Sequence, residues 1–238
     1  MVYLRVVLPT KNEEVYLPKL LKSIKKQKFK DFEIIVADAN SKDNTKKIAI
    51  SYGCKVVKGG YLDVGRNNGA KDCKAPIICF IDSDIILPNS NFISRALKEF
   101  EERKLDLAGT LQKPISTNKK FRDFLYNLFY EIANISMKLF QNSKKPFMQT
   151  LILMKTEVHK KLKGFPPYEF GEDSAFAKNA VAHRYKFGIL EEPGKALIST
   201  RRFEKDGLFT MLFKYVYFNG MRMLGHEFIR GKTKSKYW

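Results

Sequence analysis

Ile77-Ile78-Cys79-Phe80-Ile81-Asp82-Ser83-Asp84 is the stretch on which the fold reading turns. Five apolar residues in a row, rich in β-branched and aromatic types, have the length of a strand buried on both faces. Such strands belong to parallel sheets covered by helices. Two carboxylates then stand where the strand leaves the sheet. In an extended chain residues two apart point the same way, so Asp82 and Asp84 are expected to project together. A pair of acids there is a seat for a hard divalent cation carrying a diphosphate. Open α/β sheets bind ligands at that carboxyl edge. A bare Asp-x-Asp is also a common solvated turn, so the motif gains weight only from its neighbours.

Upstream, the chain alternates. Strands are expected at Tyr3–Leu8, Glu33–Ala37 and Lys55–Val57, and beyond Ile77–Ile81 at Leu105–Leu111. Helices are expected at Glu13–Gln27, Asp43–Tyr52, Asp63–Lys71 and Asn91–Arg103. That order implies βαβ units, hence an α/β fold with a mostly parallel central sheet flanked by helices.

The length, 238 residues, suits one domain, or one domain with a substantial appendage, and a hydrophobic content of 44% supports a sizeable core. The formal net charge of +19 favours polyanionic partners: nucleic acid, anionic membrane or phosphorylated small molecules. The cysteines Cys54, Cys73 and Cys79 lack zinc-finger spacing, and Cys54 and Cys79 fall in apolar runs, so a reducing, cytoplasmic compartment is expected. The N-terminal segment reads as a strand rather than a signal peptide, and no apolar run is long enough to span a bilayer.

The second half is helical in pattern. Phe121, Phe124, Leu125, Leu128, Phe129, Ile132, Ile135 and Leu139 keep helical spacing, with Arg122, Asn127, Glu131, Asn134 and Lys138 opposite. Tyr126, Tyr130, Met137 and Phe140 widen the apolar side. Flanked by Lys119-Lys120 and Lys144-Lys145, this stripe is expected to pack on the core or on a second subunit, the alternative being that it lies on a membrane surface. A strand at Gln149–Met154, helices at Thr156–Leu162 and Glu172–His183, and a strand at Ala196–Thr200 follow. From Gly207 to Leu224 the chain is aromatic and apolar but interrupted by Lys214, Asn219 and Arg222, and it leads into Arg230, Lys232, Lys234 and Lys236. From Arg201 onward nine Lys/Arg face three Asp/Glu, which favours a membrane surface or a subunit contact.

Several polar segments fall in a telling order: Pro9-Thr10-Lys11-Asn12-Glu13 after the first strand, Asp38-Ala39-Asn40-Ser41 after the second, Gly65-Arg66-Asn67-Asn68-Gly69, Asp82-Ser83-Asp84, Gly171-Glu172-Asp173, and Ser199-Thr200-Arg201-Arg202. Together they resemble the inverting family 2 glycosyltransferases of the GT-A fold, and among these the polyprenyl-phosphate sugar synthases. The resemblance covers most of the chain and implies a GT-A domain over 1–205 followed by an amphipathic, basic segment over 206–238. It implies a UDP- or GDP-linked sugar as donor, with Pro9, Thr10, Asn12, Glu13, Asp38, Ser41, Arg66, Asp82, Ser83, Arg201 and Arg202 around it. Asp38 would accept from the base edge; the alternative is that it caps the next turn. Arg66 would meet the diphosphate or pair with an acid, and Gly65 and Gly69 beside it point to close backbone approach. Mg²⁺ or Mn²⁺ would sit at Asp82 and Asp84, the second acid nearer the metal and the first nearer the ribose. Asp173, with Glu172, would be the base that takes the acceptor's proton; a phosphate acceptor would need none, leaving Asp173 to position groups. Arg201 and Arg202 would hold the donor diphosphate or an acceptor phosphate. The implied partners are a polyprenyl-phosphate or lipid acceptor and an anionic membrane at the cytoplasmic face, and the chain is compatible with an oligomer. His159, His183 and His226 lack metal-ligand spacing.

Rival readings fare worse. Phosphatases of the haloacid dehalogenase type carry Thr or Val two residues past the second Asp, where Ile86 stands, and open their core domain with the motif. A sugar nucleotidyltransferase needs a Gly-rich loop where Pro9-Thr10-Lys11-Asn12-Glu13 stands. No compact recognition motif supports a nucleic-acid binder, and none is expected as a partner.

Overall fold

The computed structural model describes residues 2–149, 151–168 and 171–226; the basic residues Arg230, Lys232, Lys234 and Lys236 lie outside them. Seven strands form the main sheet in the order β3-β2-β1-β4-β8-β6-β9. They are β1 (Leu4–Thr10), β2 (Phe32–Asp38), β3 (Lys55–Lys58), β4 (Ile77–Ile81), β6 (Leu107–Thr110), β8 (Leu151–Lys155) and β9 (Phe187–Leu190). All neighbours are parallel except β8, which runs antiparallel to both β4 and β6. A small sheet joins β5 (Ile85–Ile86), β10 (Ala196–Ile198) and β7 (Gln112–Pro114). The α/β, mostly parallel expectation holds.

The helices are α1 (Leu17–Lys25), α2 (Thr45–Ser51), α3 (Leu62–Ala70), α4 (Phe92–Glu102), α5 (Lys120–Phe140), α6 (Thr156–Lys161), α7 (Glu172–Ala182), α8 (Arg201–Asp206) and α9 (Leu208–Met223). Alternation along the central strands splits the core into two layers. Leu4, Val6, Leu8, Ile77, Cys79 and Ile81 face α1, α4, part of α5 and Phe203. Val7, Ile78 and Phe80 face the other way, toward Phe165, Val158 of α6 and Phe176 of α7. Burial pushes the Cys79 thiol up to about 12, as suits an inert core residue.

The glycines of α3 do what their spacing implied. A Cβ at Gly65 would lie 3.2 Å from Pro9 Cβ, and one at Gly69 would overlap Val7 Cγ1 on β1. In an exposed helix Gly→Ala stabilises by ~1 kcal/mol. Here overpacking reverses the sign, and Gly69→Ala should cost ~1–3 kcal/mol in urea unfolding. Equal or higher stability would show that α3 does not press on β1.

Three expectations are corrected. First, Asp82 and Asp84 do not continue an extended strand: the chain turns there, with the Ile85 amide donating to the Asp82 carbonyl (3.2 Å), and re-enters as β5. Each acid therefore meets a different partner. Second, the strand expected through Thr200 ends at Ile198, and Arg201 and Arg202 begin α8. Third, α5 turns in a different face. Tyr126, Tyr130, Ala133, Asn134 and Met137 are buried, while Phe121, Phe124, Leu128, Ile132, Ile135 and Leu139 are exposed. Asn134, expected on the polar side, exchanges two hydrogen bonds with the Gln112 backbone (3.0 and 2.8 Å), which ties α5 to β7. The sequence is apolar on both sides of this helix, so period alone could not say which side turns inward.

Candidate active site

The carboxyl ends of β1, β2 and β4 bring the polar segments together. Thr10 is opposite Asp38 in the ladder, and its hydroxyl lies 3.5 Å from Asp38 Oδ1. Ser41 donates its hydroxyl to Asp38 Oδ1 (2.5 Å) and its amide to Oδ2 (3.1 Å). Asp38 thus fastens the turn after β2. Asn12, in the left-handed region at φ 55, ties this turn to the first: its amide donates to Ser41 Oγ (2.8 Å), and its side-chain carbonyl accepts from the Lys42 amide (2.9 Å). The Glu13 amide donates to Thr45 Oγ1 (2.7 Å). Two loops that could have been mobile form one braced floor, with Pro9 at the end of β1.

Above the floor two guanidinium groups hold the acids. Arg66, on α3, is only 1% exposed; it donates to Asp82 Oδ1 (3.0 Å) and pairs with Glu172 at the start of α7. Phe165 covers it, with its ring centroid 5.2 Å from the guanidinium carbon. Burial works against the charge on Arg66, but the carboxylates of Glu172 and Asp82 outweigh it and hold the guanidinium protonated. For Asp82 burial dominates and pushes the carboxyl up; Arg66 opposes this, and neighbouring Asp84 adds to it.

Arg201 is the second clamp. It donates to both oxygens of Glu13 (2.8 Å each) and to Asp84 Oδ2 (3.1 Å), and it lies 4.6 Å above the Tyr16 ring. The Ser199 amide donates to the Asp84 carbonyl (3.0 Å), so the small sheet holds the acid turn from behind. Arg202 is exposed, and its charge reaches Asp82. Ser83 is buried between the two acids.

Asp173 occupies the first turn of α7, where its Oδ1 accepts from the Ser174 amide (2.6 Å). Ser174 in turn exchanges hydrogen bonds with the Met148 backbone (3.1 Å each), fixing the start of α7 beside the sheet edge. Gly171 precedes the helix at φ 74, a conformation that favours glycine.

Whether these residues suit a divalent cation can be tested on the donor set. Asp84 Oδ1 is buried and has no hydrogen-bond partner among the described residues, while Oδ2 is taken by Arg201. Among the described residues no cluster of three or more His, Cys, Asp or Glu could hold a metal unaided. The chain thus offers hard oxygen ligands but too few for a closed cage. That pattern fits Mg²⁺ or Mn²⁺ completed by phosphate oxygens and water.

A cavity of about 210 Å³ opens beside Asp84, lined by Tyr16, Ile115, Ser199, Thr200, Arg201 and Glu204. A larger hollow of about 720 Å³ lies at the opposite edge, near Tyr3, Ile77 and Lys155. The acids are not there, and ligands in open α/β sheets bind at the carboxyl edge. The small cavity therefore belongs to the site.

All the residues singled out from sequence lie in this region except Arg202, which is at its rim. Tyr16 was missed: the sequence reads as helix from Glu13, but α1 begins only at Leu17, and the pairing of Glu13 with Arg201, 188 positions apart, brings Tyr16 in the preceding turn under the guanidinium. Asn67, quoted in its segment, has a role the sequence does not assign. Its side chain exchanges hydrogen bonds with the Phe165 backbone (3.0 and 2.8 Å) and meets His159 Nε2 (3.2 Å), which steadies the loop over Arg66. Burial, with Lys160 nearby, lowers His159 to about 4, so it is neutral at ordinary pH.

The family described as glycosyl transferase family 2 matches residues 5–162. Among curated relatives, the 4,4'-diaponeurosporenoate glycosyltransferase of Staphylococcus haemolyticus is 28% identical over 150 residues, 58% of this chain and 40% of that protein. The GalNAc(5)-diNAcBac-PP-undecaprenol beta-1,3-glucosyltransferase of Campylobacter jejuni is 37% identical over 90 residues, 34% of this chain and 29% of that protein. The chain thus spans well under half the length of either relative. Among solved structures, S. aureus TarS 1-349 with UDP-GlcNAc matches at TM-score 0.64 and 22% identity, covering 83% of this chain and 58% of that one. Mannosyltransferase PcManGT of Pyrobaculum calidifontis, with GDP-Man and Mn²⁺, matches at TM-score 0.66 and 18% identity, covering 91% and 64%. These likenesses show a shared fold.

Proposed function

Since the chain belongs to glycosyl transferase family 2, we propose that it moves a sugar from a UDP- or GDP-linked donor to an acceptor with inversion at the anomeric carbon. The observation that carries this reading is the convergence of Asp82, Asp84, Glu172, Arg66 and Arg201 at one sheet edge, with a buried Asp84 oxygen left without a partner. The floor formed by Pro9, Thr10, Asn12, Asp38 and Ser41 would receive base and ribose. Arg201 and Arg202 would turn to the diphosphate. Mg²⁺ or Mn²⁺ at Asp84, with Asp82 beside it, would offset charge on the departing nucleoside diphosphate. Asp173 takes the proton of the acceptor hydroxyl as its oxygen bonds the anomeric carbon from the face opposite the breaking bond to the diphosphate. Glu172, paired with Arg66, would hold that guanidinium beside Asp82. The solved relatives with UDP-GlcNAc and with GDP-Man and Mn²⁺ support a nucleotide-sugar donor and a divalent metal.

For the acceptor we favour a polyprenyl phosphate or glycolipid at the cytoplasmic membrane face. The name of the undecaprenol-linked relative supports it. So does the apolar, basic segment of 206–238. The second reading is a soluble or polysaccharide acceptor, which the relative named poly(ribitol-phosphate) beta-N-acetylglucosaminyltransferase favours. A panel of nucleotide-sugars with Mg²⁺ or Mn²⁺, read by thermal shift, tests the donor assignment, because a ligand of the folded state raises stability by mass action.

Metal dependence has its own test. Calorimetry of UDP and GDP should give tighter binding in Mn²⁺ than in EDTA. Asp84→Ala should bring the Mn²⁺ affinity down by about tenfold or more, ~1.4 kcal/mol, to the EDTA level. Equal affinity of the unmutated chain in both conditions would remove the metal from the mechanism.

A further inference from the structure

Helix α5 runs for 21 residues and is apolar on two opposite sides. At about 100° per residue, Phe121, Phe124, Leu128, Ile132, Ile135 and Leu139 fall within roughly 80° of arc, directly away from the buried Tyr126, Tyr130 and Met137. None of the six meets the core: Phe121 and Leu139 are each 74% exposed. The same geometry recurs on α9. Phe209, Leu212, Phe213, Val216 and Tyr217 lie on its outer side, Phe209 at 85% exposure, while Phe218 is turned in. The helices are joined by aromatic contacts, Phe129 to Tyr215 at 5.2 Å between centroids, with Phe203 of α8 at 5.1 Å from Phe129. The two outward stripes therefore belong to neighbouring helices, an apolar display well beyond the scattered exposed residues that are normal on a soluble surface.

The rim is basic. Lys119, Lys120 and Arg122 are exposed at the start of α5, Lys144 lies just past its end, and Arg202 and Lys205 are exposed in α8. Of the nearby acids, Glu131 pairs with Lys195 and Asp206 with Lys214, while Asp123 bonds Ser116 and Thr117 and Glu204 accepts from Thr200, so the exposed cations outnumber the unpaired acids. No described helix is long and apolar enough to cross a bilayer. An apolar stripe bordered by free cations is the pattern of a helix lying in the headgroup region of an anionic membrane. A second copy of the chain would instead set two cationic rims, each on a molecule of net charge +19, against each other.

We propose that the outer faces of α5 and α9 form one lipid-docking surface that seats the protein on an anionic bilayer beside the mouth of its active site. The placement follows from the chain. Ile115, just before α5, and Glu204, in the helix that leads to α9, line the cavity at Asp84 and Arg201. The inference shares only the membrane location with the functional reading above; the surface binds lipid whatever the acceptor.

The test uses the full chain and vesicles of equal parts phosphatidylglycerol and phosphatidylcholine, against phosphatidylcholine alone. The protein should co-sediment with the first far more than with the second, and rising salt should release it. Phe121→Ser with Phe124→Ser should weaken vesicle binding about tenfold or more, and so should Phe209→Ser with Phe213→Ser, a second pair on the other helix. Lys119→Gln with Lys120→Gln should reduce the preference for the anionic lipid. All these positions are exposed, so thermal midpoints should hold. Vesicle binding unchanged in both apolar pairs overturns the proposal. So does light scattering that finds a dimer of the intact chain which either pair dissociates, since that makes the face a subunit contact. Nucleotide-induced thermal shift, measured without lipid, separates the two readings. An unmutated chain that binds no anionic vesicles yet keeps donor binding sinks this inference alone, and the reverse result sinks the donor assignment alone.

Discussion

Asp173→Asn is expected to lower transfer to a hydroxyl acceptor by about 10²–10⁴-fold, the usual contribution of a positioned base. Nucleotide affinity should stay within about twofold, ~0.4 kcal/mol. The separation follows from the site. Asp173 stands in the first turn of α7, anchored by Ser174 to the Met148 backbone, whereas the floor that would take the nucleotide is built from the loops after β1 and β2. Asn keeps the shape and can still accept from the Ser174 amide, so a loss of turnover would report the missing proton acceptor and not a displaced helix. Single-turnover rates with a hydroxyl acceptor, beside calorimetry of UDP and GDP, give both numbers. Full turnover in the variant would remove Asp173 from the base role, and product analysis would then tell whether the sugar had gone to a phosphate oxygen, which needs no base.

Arg66→Met should destabilise the fold by ~3–5 kcal/mol, because it leaves Asp82 and Glu172 buried without their shared counter-charge. For a chain of this size that is a fall in Tm of about 6–20 °C. The sign of the pH dependence is fixed by Asp82. Its carboxyl is raised in the folded state, chiefly by burial, with Arg66 limiting the rise. An acid raised on folding costs stability once the pH climbs through its shifted value, and the cost vanishes when the acid is protonated. Removing Arg66 enlarges the shift. The deficit of the variant should therefore be full at alkaline pH and shrink as the pH falls and Asp82 takes up a proton. Urea unfolding across a pH series reads this directly. A deficit that is flat with pH would mean that Arg66 acts through its packing against Phe165 rather than through charge.

The parts of the fold legible in the sequence are those where one periodicity dominates. β4 follows from five apolar residues, and α4 from a stripe that can face only one way. The missed strands β5, β7 and β9 are two to four residues long and exist because a neighbour pairs with them, which a local pattern does not record. Arg201 was expected to follow a strand, but Thr200 and the residues after it close a helical turn that only the contact with Asp84 and Glu13 explains. At the site, residue types were legible and partnerships were not. Arg66 was left between a diphosphate and an acid, and its pairing with Glu172 joins residues 106 positions apart.

The placement of β8 governs how the chain can be made. It is the only described strand that bridges β4 and β6, through Cys79–Leu153 on one side and Ala108–Leu153 on the other. While the first 150 residues emerge during synthesis, β4 and β6 each present a bare edge with nothing to pair. Such edges invite pairing with other chains. The gap between β4 and β6 closes only when residues 151–155 arrive and insert between strands made long before. Closure by contacts of such long range is slow. Those edges therefore need protection until residues 151–155 are out. An early stop before β8 would yield not a smaller enzyme but an aggregating fragment, even though every residue of the Asp82-Ser83-Asp84 turn would already be present.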